Sequence, residues 1–203
     1  ERNECSKENP VKIVVGEGKH VMVGVASDNY GGLHGGLHTS VRCNNIAVVG
    51  KGKSKTTILG GFYVNGKDNV KIEQLSSTNA AGEGLFCDGS GTNVDVTECC
   101  FKKSRCNGMI VKYGATATAT RCEFMENRGH GVFCQNANTK ARLTDCTMHH
   151  NGEDGLYAGS RAVVDLHGTK TDIHANKNHG IGAPQRGKVN IHLPSQHNTT
   201  HDN

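Results

Sequence analysis

The sequence predicts an all-β fold in which short strands wind into a solenoid and each coil stacks in parallel on the next. The first observation is a repeat of about 24 residues, most regular between Thr92 and Ala183. The second is that the runs between turns are only three to five residues long and alternate apolar with polar positions, as half-buried strands do. The third is that no amphipathic stretch of ten or more residues occurs, which a helical repeat of this length would need. We therefore predict about six to seven coils with an N-terminal cap region.

Residues one period apart should stack in columns along the solenoid. Three copies of the repeat span residues 94–111, 117–134 and 141–158, and a weaker fourth copy spans 164–183. One glycine recurs in each coil, where we expect a tight turn or a left-handed backbone. These glycines are Gly84, Gly108, Gly131, Gly155 and Gly180.

The start of the chain is expected to cap the solenoid. Residues 11–25 contain two β-rich runs separated by a Gly-Glu-Gly turn, and the end of a solenoid needs such a cover. We assign residues 1–38 to an N-terminal cap segment with a Gly/His-rich loop, 39–193 to the β-helix and 194–203 to a polar tail.

The loop of the cap segment carries His34 and His38 within a repeated Gly-Gly-Leu-His. A metal site needs at least a third ligand, and none is evident in the sequence. We predict no metal site and no cofactor.

Composition narrows the classes of partner. The formal charge is +4, and the Lys and Arg residues are dispersed with no basic stripe, so no nucleic-acid partner is expected. No apolar run approaches the length of a membrane span, so no membrane partner is expected either. The polar first ten residues lack a signal-peptide pattern, and the compartment is not indicated.

The cysteines are predicted to be core residues. Nine is an odd number and no Cys-x-x-Cys occurs, which argues against a disulfide scaffold or a zinc ribbon. Cys99, Cys122 and Cys146 keep the period of the repeat and should stack as small buried side chains. A turn column should form a ladder of side-chain amides along the axis. Its members are Ser104, Asn127, Asn151 and Asn176.

A coil of three short strands resembles the right-handed parallel β-helix of the pectate-lyase-like superfamily, over about residues 39–193. The resemblance implies the fold but no single activity, because that superfamily includes lyases, hydrolases, epimerases, phage tailspikes and non-catalytic scaffolds. Gly129-His130-Gly131 matches the Gly-His-Gly of polygalacturonase-like hydrolases. The other hydrolase elements, the calcium-site aspartates of pectate lyases and the Asp-Pro-His-Asp of alginate epimerases are not found.

One outward column is rich in aromatic residues. If the residues on either side of Phe86 point inward, Phe86 and its equivalents point outward. We predict an exposed aromatic ladder that binds a polysaccharide or another protein. The ladder consists of Tyr63, Phe86, Ile110, Phe133 and Tyr157.

A second outward column carries acid–base groups. It runs through His130, Asp154 and His179, with Tyr157 on the same coil as Asp154. An Asp between two His side chains is expected to raise their pKa values and orient them. These four residues are our candidates for abstracting and returning the C5 proton of a uronic acid. The alternative is an ordinary solvated column, because side chains in one column run parallel and do not converge.

The sequence thus favours a non-catalytic binding or structural module, with a polysaccharide as the leading ligand class. One alternative is a lyase or C5-epimerase that acts on uronic-acid polymers. The other is a protein-interaction scaffold within a larger chain.

Overall fold

A computed structural model describes residues 5–21 and 38–203 of the chain. His34 and most of the predicted Gly/His-rich loop lie outside the described residues. The described residues form 23 strands, arranged in three sheets in which all pairs are parallel.

Each coil contributes one strand to each sheet. Sheet A contains β1 (Val11–Val14), β4 (Ile46–Val49), β7 (Val70–Glu73), β10 (Asn93–Thr97), β13 (Thr116–Thr120), β16 (Lys140–Thr144), β19 (Val163–His167) and β22 (Lys188–His192). Sheet B contains β2 (Gly18–Val21), β5 (Thr56–Leu59), β8 (Ser76–Thr78), β11 (Cys100–Lys102), β14 (Glu123–Met125), β17 (Thr147–His149), β20 (Asp172–His174) and β23 (Thr200–His201). Sheet C contains β3 (His38–Val41), β6 (Gly61–Asn65), β9 (Leu85–Asp88), β12 (Met109–Lys112), β15 (Val132–Gln135), β18 (Leu156–Gly159) and β21 (Ile181–Gly182).

This arrangement confirms the predicted right-handed parallel β-helix, with about seven coils. The register also follows the predicted columns, since Val94 pairs with Ala117 and Ala117 with Ala141. Strands β1 and β2 lie before residue 39, and β23 lies after residue 193, so coil strands occur on both sides of the predicted limits.

The core runs along the axis, between the three sheets. Phe101 and Phe124 are fully buried and stack with their ring centroids 5.6 Å apart. The three periodic cysteines are buried and free, as predicted. The thiol of Cys146 lies 3.4 Å from the Ala119 carbonyl of the preceding coil. Each thiol thus lies in the core, in contact with the backbone of the preceding coil.

The recurring glycines are required for close approach and not for left-handed backbone. None of the five has a φ in the left-handed region, contrary to that part of the expectation. A Cβ atom at Gly131 would lie 2.6 Å from the Gly155 carbonyl oxygen and 2.9 Å from the Asn151 amide nitrogen. Left-handed residues occur instead at the corners of the coils, on non-glycine residues such as Arg121 (φ 54°) and His150 (φ 55°).

The predicted amide ladder is present at the turn between sheets B and C. The Nδ2 atom of Asn127 donates to Oδ1 of Asn151 at 3.0 Å, and Asn151 donates to Asn176 at 2.9 Å. The ladder continues to Asn203, whose Oδ1 accepts from Asn176 at 2.9 Å. At the other end Ser104 joins through its main-chain N–H, which donates to Asn127. The ladder therefore fixes the turn from which the candidate site is built.

Candidate functional site: a cavity beside the aromatic column of sheet C

The aromatic column stacks in register but splits into two pairs. Tyr63 and Phe86 pack edge to face at 5.3 Å between ring centroids, and Phe133 and Tyr157 stack at 4.7 Å. Ile110 lies between the two ring pairs, because its register partners on the neighbouring strands are Phe86 and Phe133. It is only 3% exposed, contrary to the exposure predicted for the ladder, since both neighbouring rings flank it. The four rings themselves are half-buried.

The first pair is held by polar partners at its outer edge. The Tyr63 hydroxyl donates to Oδ2 of Asp88 at 3.0 Å, and Nδ2 of Asn65 donates to that hydroxyl at 3.0 Å. The second pair has a different neighbour. The His130 ring lies against it, with its centroid 5.2 Å from Phe133 and 4.9 Å from Tyr157.

The acid–base column acts as a second side-chain ladder. Oδ1 of Asn107 accepts the main-chain N–H of His130 at 2.9 Å, and Nδ1 of His130 accepts that of Asp154 at 3.1 Å. Oδ1 of Asp154 then accepts the N–H of His179 at 3.1 Å. Each side chain thus binds the backbone of the following coil, which orients the turns that precede sheet C.

These contacts define the tautomer of His130. Because Nδ1 accepts a hydrogen bond, the proton of the neutral ring lies on Nε2, which faces Oε2 of Glu153 at 2.7 Å. Nδ1 lies 3.6 Å from Oδ2 of Asp154, but two acceptors do not form a hydrogen bond.

Burial lowers the pKa of His130, and the opposing charges of Glu153 and Asp154 do not offset it. The Asp154 charge does act to raise the pKa of His130, as expected, but the net shift is downward. Desolvation of the imidazolium outweighs the nearby carboxylates because the ring is enclosed by Phe133 and Tyr157.

The four predicted catalytic residues come together only in part. His130, Asp154 and His179 adjoin one another, with Nδ1 of His179 3.0 Å from Oδ1 of Asp154. The His179 side chain is 76% exposed and turned to solvent. The Tyr157 ring packs against the His130 ring. Within residues 5–21 and 38–203, no hydrogen bond joins the Tyr157 hydroxyl to His130, Asp154 or His179.

A cavity of about 320 Å³ opens beside His130. Ile110 and Phe133 supply its apolar surface, and Nζ of Lys112 lies 5.2 Å from the centroid of the Phe133 ring. Arg105 and Arg128 are exposed at its rim. The lining consists of Glu83, Arg105, Cys106, Asn107, Ile110, Lys112, Arg128, Gly129, His130, Phe133 and Glu153. An aromatic ring, three cations and two carboxylates therefore face one small volume.

Sequence reasoning missed the charged part of this lining. Arg105 and Arg128 each precede a repeated glycine by three residues, so this pair of stacked basic residues was visible in the repeat. Glu153 has no equivalent carboxylate in the neighbouring copies, and nothing in the period singles it out. Its position beside His130 becomes apparent only from the fold.

Possible metal ligands gather elsewhere, on the last coils of sheet B. His149, His150 and His174 each offer a nitrogen within 4.8 Å of the others, and Asp172, His174 and His201 form a second such set. The sequence analysis had predicted no metal site and had considered only His34 and His38 as a possible ligand pair.

Comparison with known families identifies the class of protein. A family model described as the right handed beta helix region matches residues 35–199, and the chain belongs to this family. No match was found among curated proteins. In the described part of the chain, no helix is long and apolar enough to cross a membrane.

The chain is also similar in fold to a solved structure. It is the A-module of a mannuronan C-5 epimerase from Azotobacter vinelandii, with a TM-score of 0.56 and 12% sequence identity. The match covers 90% of this chain and 67% of that one. At this identity the likeness shows a common β-helix and carries no residue of the epimerase onto this chain.

Proposed function

We propose that this β-helix is a non-catalytic binding module for an acidic polysaccharide, which it holds over Phe133. The observation that carries the proposal is the cavity, in which an aromatic ring lies beside three cationic side chains. Pockets that bind ligands commonly combine an apolar surface with a few convergent polar groups.

The chemistry of the lining fits a uronate unit. The apolar face of a pyranose ring packs on an aromatic ring, and the Phe133–Tyr157 stack offers such a surface next to the cavity. A guanidinium binds a carboxylate with two parallel hydrogen bonds, which Arg105 and Arg128 at the rim are placed to make. Glu83 and Glu153 accept hydrogen bonds from sugar hydroxyls.

The column arrangement suits a chain ligand. Successive coils are about 4.8 Å apart, so a polymer lying along the axis meets equivalent side chains at regular steps. A binding role also agrees with His130, whose Nδ1 is engaged by the backbone of the next coil and whose pKa is lowered by burial.

Affinity electrophoresis in gels containing polygalacturonate or alginate tests the proposal, with neutral dextran as the reference polymer. We expect Arg128→Ala and Phe133→Ala each to weaken retention about tenfold, which corresponds to about 1.4 kcal/mol. Arg121→Ala is the matched control, because Arg121 pairs with Glu98 and does not line the cavity. Equal losses for Arg121→Ala and Arg128→Ala would show that only net charge matters. No retention of the unaltered protein by either acidic polymer would refute the proposal.

A second candidate function is uronate lyase or C5-epimerase chemistry. It is favoured by one observation, the 2.7 Å separation of His130 Nε2 and Glu153 Oε2 at the cavity wall. The same polymers, incubated with the protein, should then yield unsaturated ends or altered C5 configuration, and His130→Gln should abolish the product. Binding without product supports the module, whereas product formation supports the enzyme.

A further inference from the structure

We propose that His149, His150 and His174 form a zinc-binding site on the last coils of sheet B. The site shares no residue with the cavity over Phe133 and does not depend on the function proposed for it.

Two of the ligands belong to one column. His149 and His174 occupy equivalent positions of β17 and β20, and their rings stack in parallel, with centroids 5.0 Å apart and 1° between planes. Parallel rings alone present their nitrogens in a row. A tetrahedral zinc ion needs nitrogens that converge, about 3.4 Å from one another for bonds of about 2.0–2.1 Å.

The corner residue His150 supplies that convergence. Its φ of 55° turns the chain directly after β17, so that its ring stands edge-on to the column. The ring planes of His150 lie at 82° to His149 and 83° to His174. The Nδ1 atoms of His149 and His150 are only 2.8 Å apart, and one nitrogen from each of the three rings lies within 4.8 Å of the others.

The remaining contacts leave suitable atoms for a metal. Nε2 of His149 lies 3.1 Å from Oε1 of Glu123, and a carboxylate in that position fixes a ring whose Nδ1 binds zinc. Nδ1 of His174 is buried and has no hydrogen-bond partner within the described part of the chain. Oδ2 of Asp172 is 3.1 Å from that atom, but the approach does not meet the geometry of a hydrogen bond.

The neighbouring set of Asp172, His174 and His201 is the weaker assignment. Both nitrogens of His201 face carboxylates, with Nε2 3.1 Å from Asp172 and Nδ1 2.9 Å from Asp202. The His174 and His201 rings are also parallel, with 4° between their planes, so this set has no edge-on ring to make its nitrogens converge. Three imidazoles with an open fourth position are a ligand set that zinc accepts.

Titration of Zn²⁺ into the full chain, without a polyhistidine tag, tests the site by calorimetry. We expect one ion per chain, and at least tenfold weaker binding for His150→Asn. His150 is exposed, and Asn tolerates a left-handed backbone, so this variant should keep the fold. His167→Asn is the matched control, because the rings of His167 and His192 stack at 4.3 Å with no third ring against them among the residues that the structure describes. It should bind Zn²⁺ like the unaltered chain.

Visible absorption of the Co²⁺-loaded protein provides a second readout, since nitrogen coordination in a tetrahedral site gives intense bands that His150→Asn should remove. Three outcomes would overturn the assignment. The first is no Zn²⁺ binding in the micromolar range. The second is a loss of binding in His201→Asn but not in His150→Asn. The third is binding that survives in both variants, which would place the ion elsewhere in the chain.

Discussion

Replacing Asn151 by Ala should remove the central member of the amide ladder and destabilise the coils that carry the candidate site. The Asn151 side chain is 2% exposed and forms four hydrogen bonds. Its Nδ2 donates to the Phe124 carbonyl at 3.0 Å and to Oδ1 of Asn176 at 2.9 Å. Its Oδ1 accepts from Nδ2 of Asn127 at 3.0 Å and from the Asn127 main-chain N–H at 3.2 Å.

The expected loss in the free energy of unfolding is about 4 kcal/mol, taking about 1 kcal/mol as the net contribution of each of the four bonds. The partners that remain are buried between coils, where an unpaired amide or carbonyl is not rehydrated. A domain is usually stable by only about 5–15 kcal/mol, so this variant should lose a large part of the free energy of unfolding.

Ser104→Ala is the control, because Ser104 occupies the same column but its Oγ is buried without a hydrogen-bond partner in the described residues. Its removal should change the free energy of unfolding by less than about 0.5 kcal/mol. Urea unfolding followed by circular dichroism measures both variants. A cost below about 1 kcal/mol for Asn151→Ala, or equal costs for the two variants, would show that the ladder does not stabilise the turn.

Two further predictions concern buried ionisable groups. Because the pKa of His130 lies below its ordinary value of 6.5, the native state binds fewer protons than the unfolded chain just below that pH. Stability should therefore fall as the pH drops below about 6.5, and His130→Gln should reduce this slope in urea unfolding; an unchanged slope would contradict the assignment. Burial raises the pKa of Cys134 to about 12 and that of Cys87 further still, so iodoacetamide at neutral pH should label both thiols only after denaturation. Mass spectrometry that finds either one labelled rapidly in the folded chain would contradict their burial.

The fold and the core could be predicted from the sequence, because the repeat length determines which residues become neighbours in space. In a parallel solenoid, a residue and its equivalent one coil later must be neighbours, so a column read from the sequence is already a contact. The pairing of Asn127, Asn151 and Asn176 could be predicted on this basis, and the structure has it. The same rule found the Phe133–Tyr157 stack.

The candidate site was predicted less well, because its chemistry depends on contacts that break the period. The pKa of His130 depends on how fully two rings enclose it, and periodicity does not report desolvation. Ile110 has the alternation of an outward residue, yet flanking rings bury it. The positions of the recurring glycines were predicted correctly, but the reason was not. Glycine is needed there because the next coil lies too close for a Cβ atom, and not because the backbone is left-handed.

The columns of this β-helix also separate structural polar groups from groups free to act. Three polar side chains accept a hydrogen bond from a main-chain N–H of the next coil, namely Asn107, His130 and Asp154. Stacking of the turns is therefore enough to account for a polar residue at these positions. Glu153 and His150 lie off those ladders, one beside the cavity and one at a corner. Since members of one column run parallel, several groups converge on a single ligand atom only where an off-column residue joins them. Chemistry at a single ligand atom should therefore need Glu153 or His150 beside a column residue such as His130 or His149, because column residues alone do not converge.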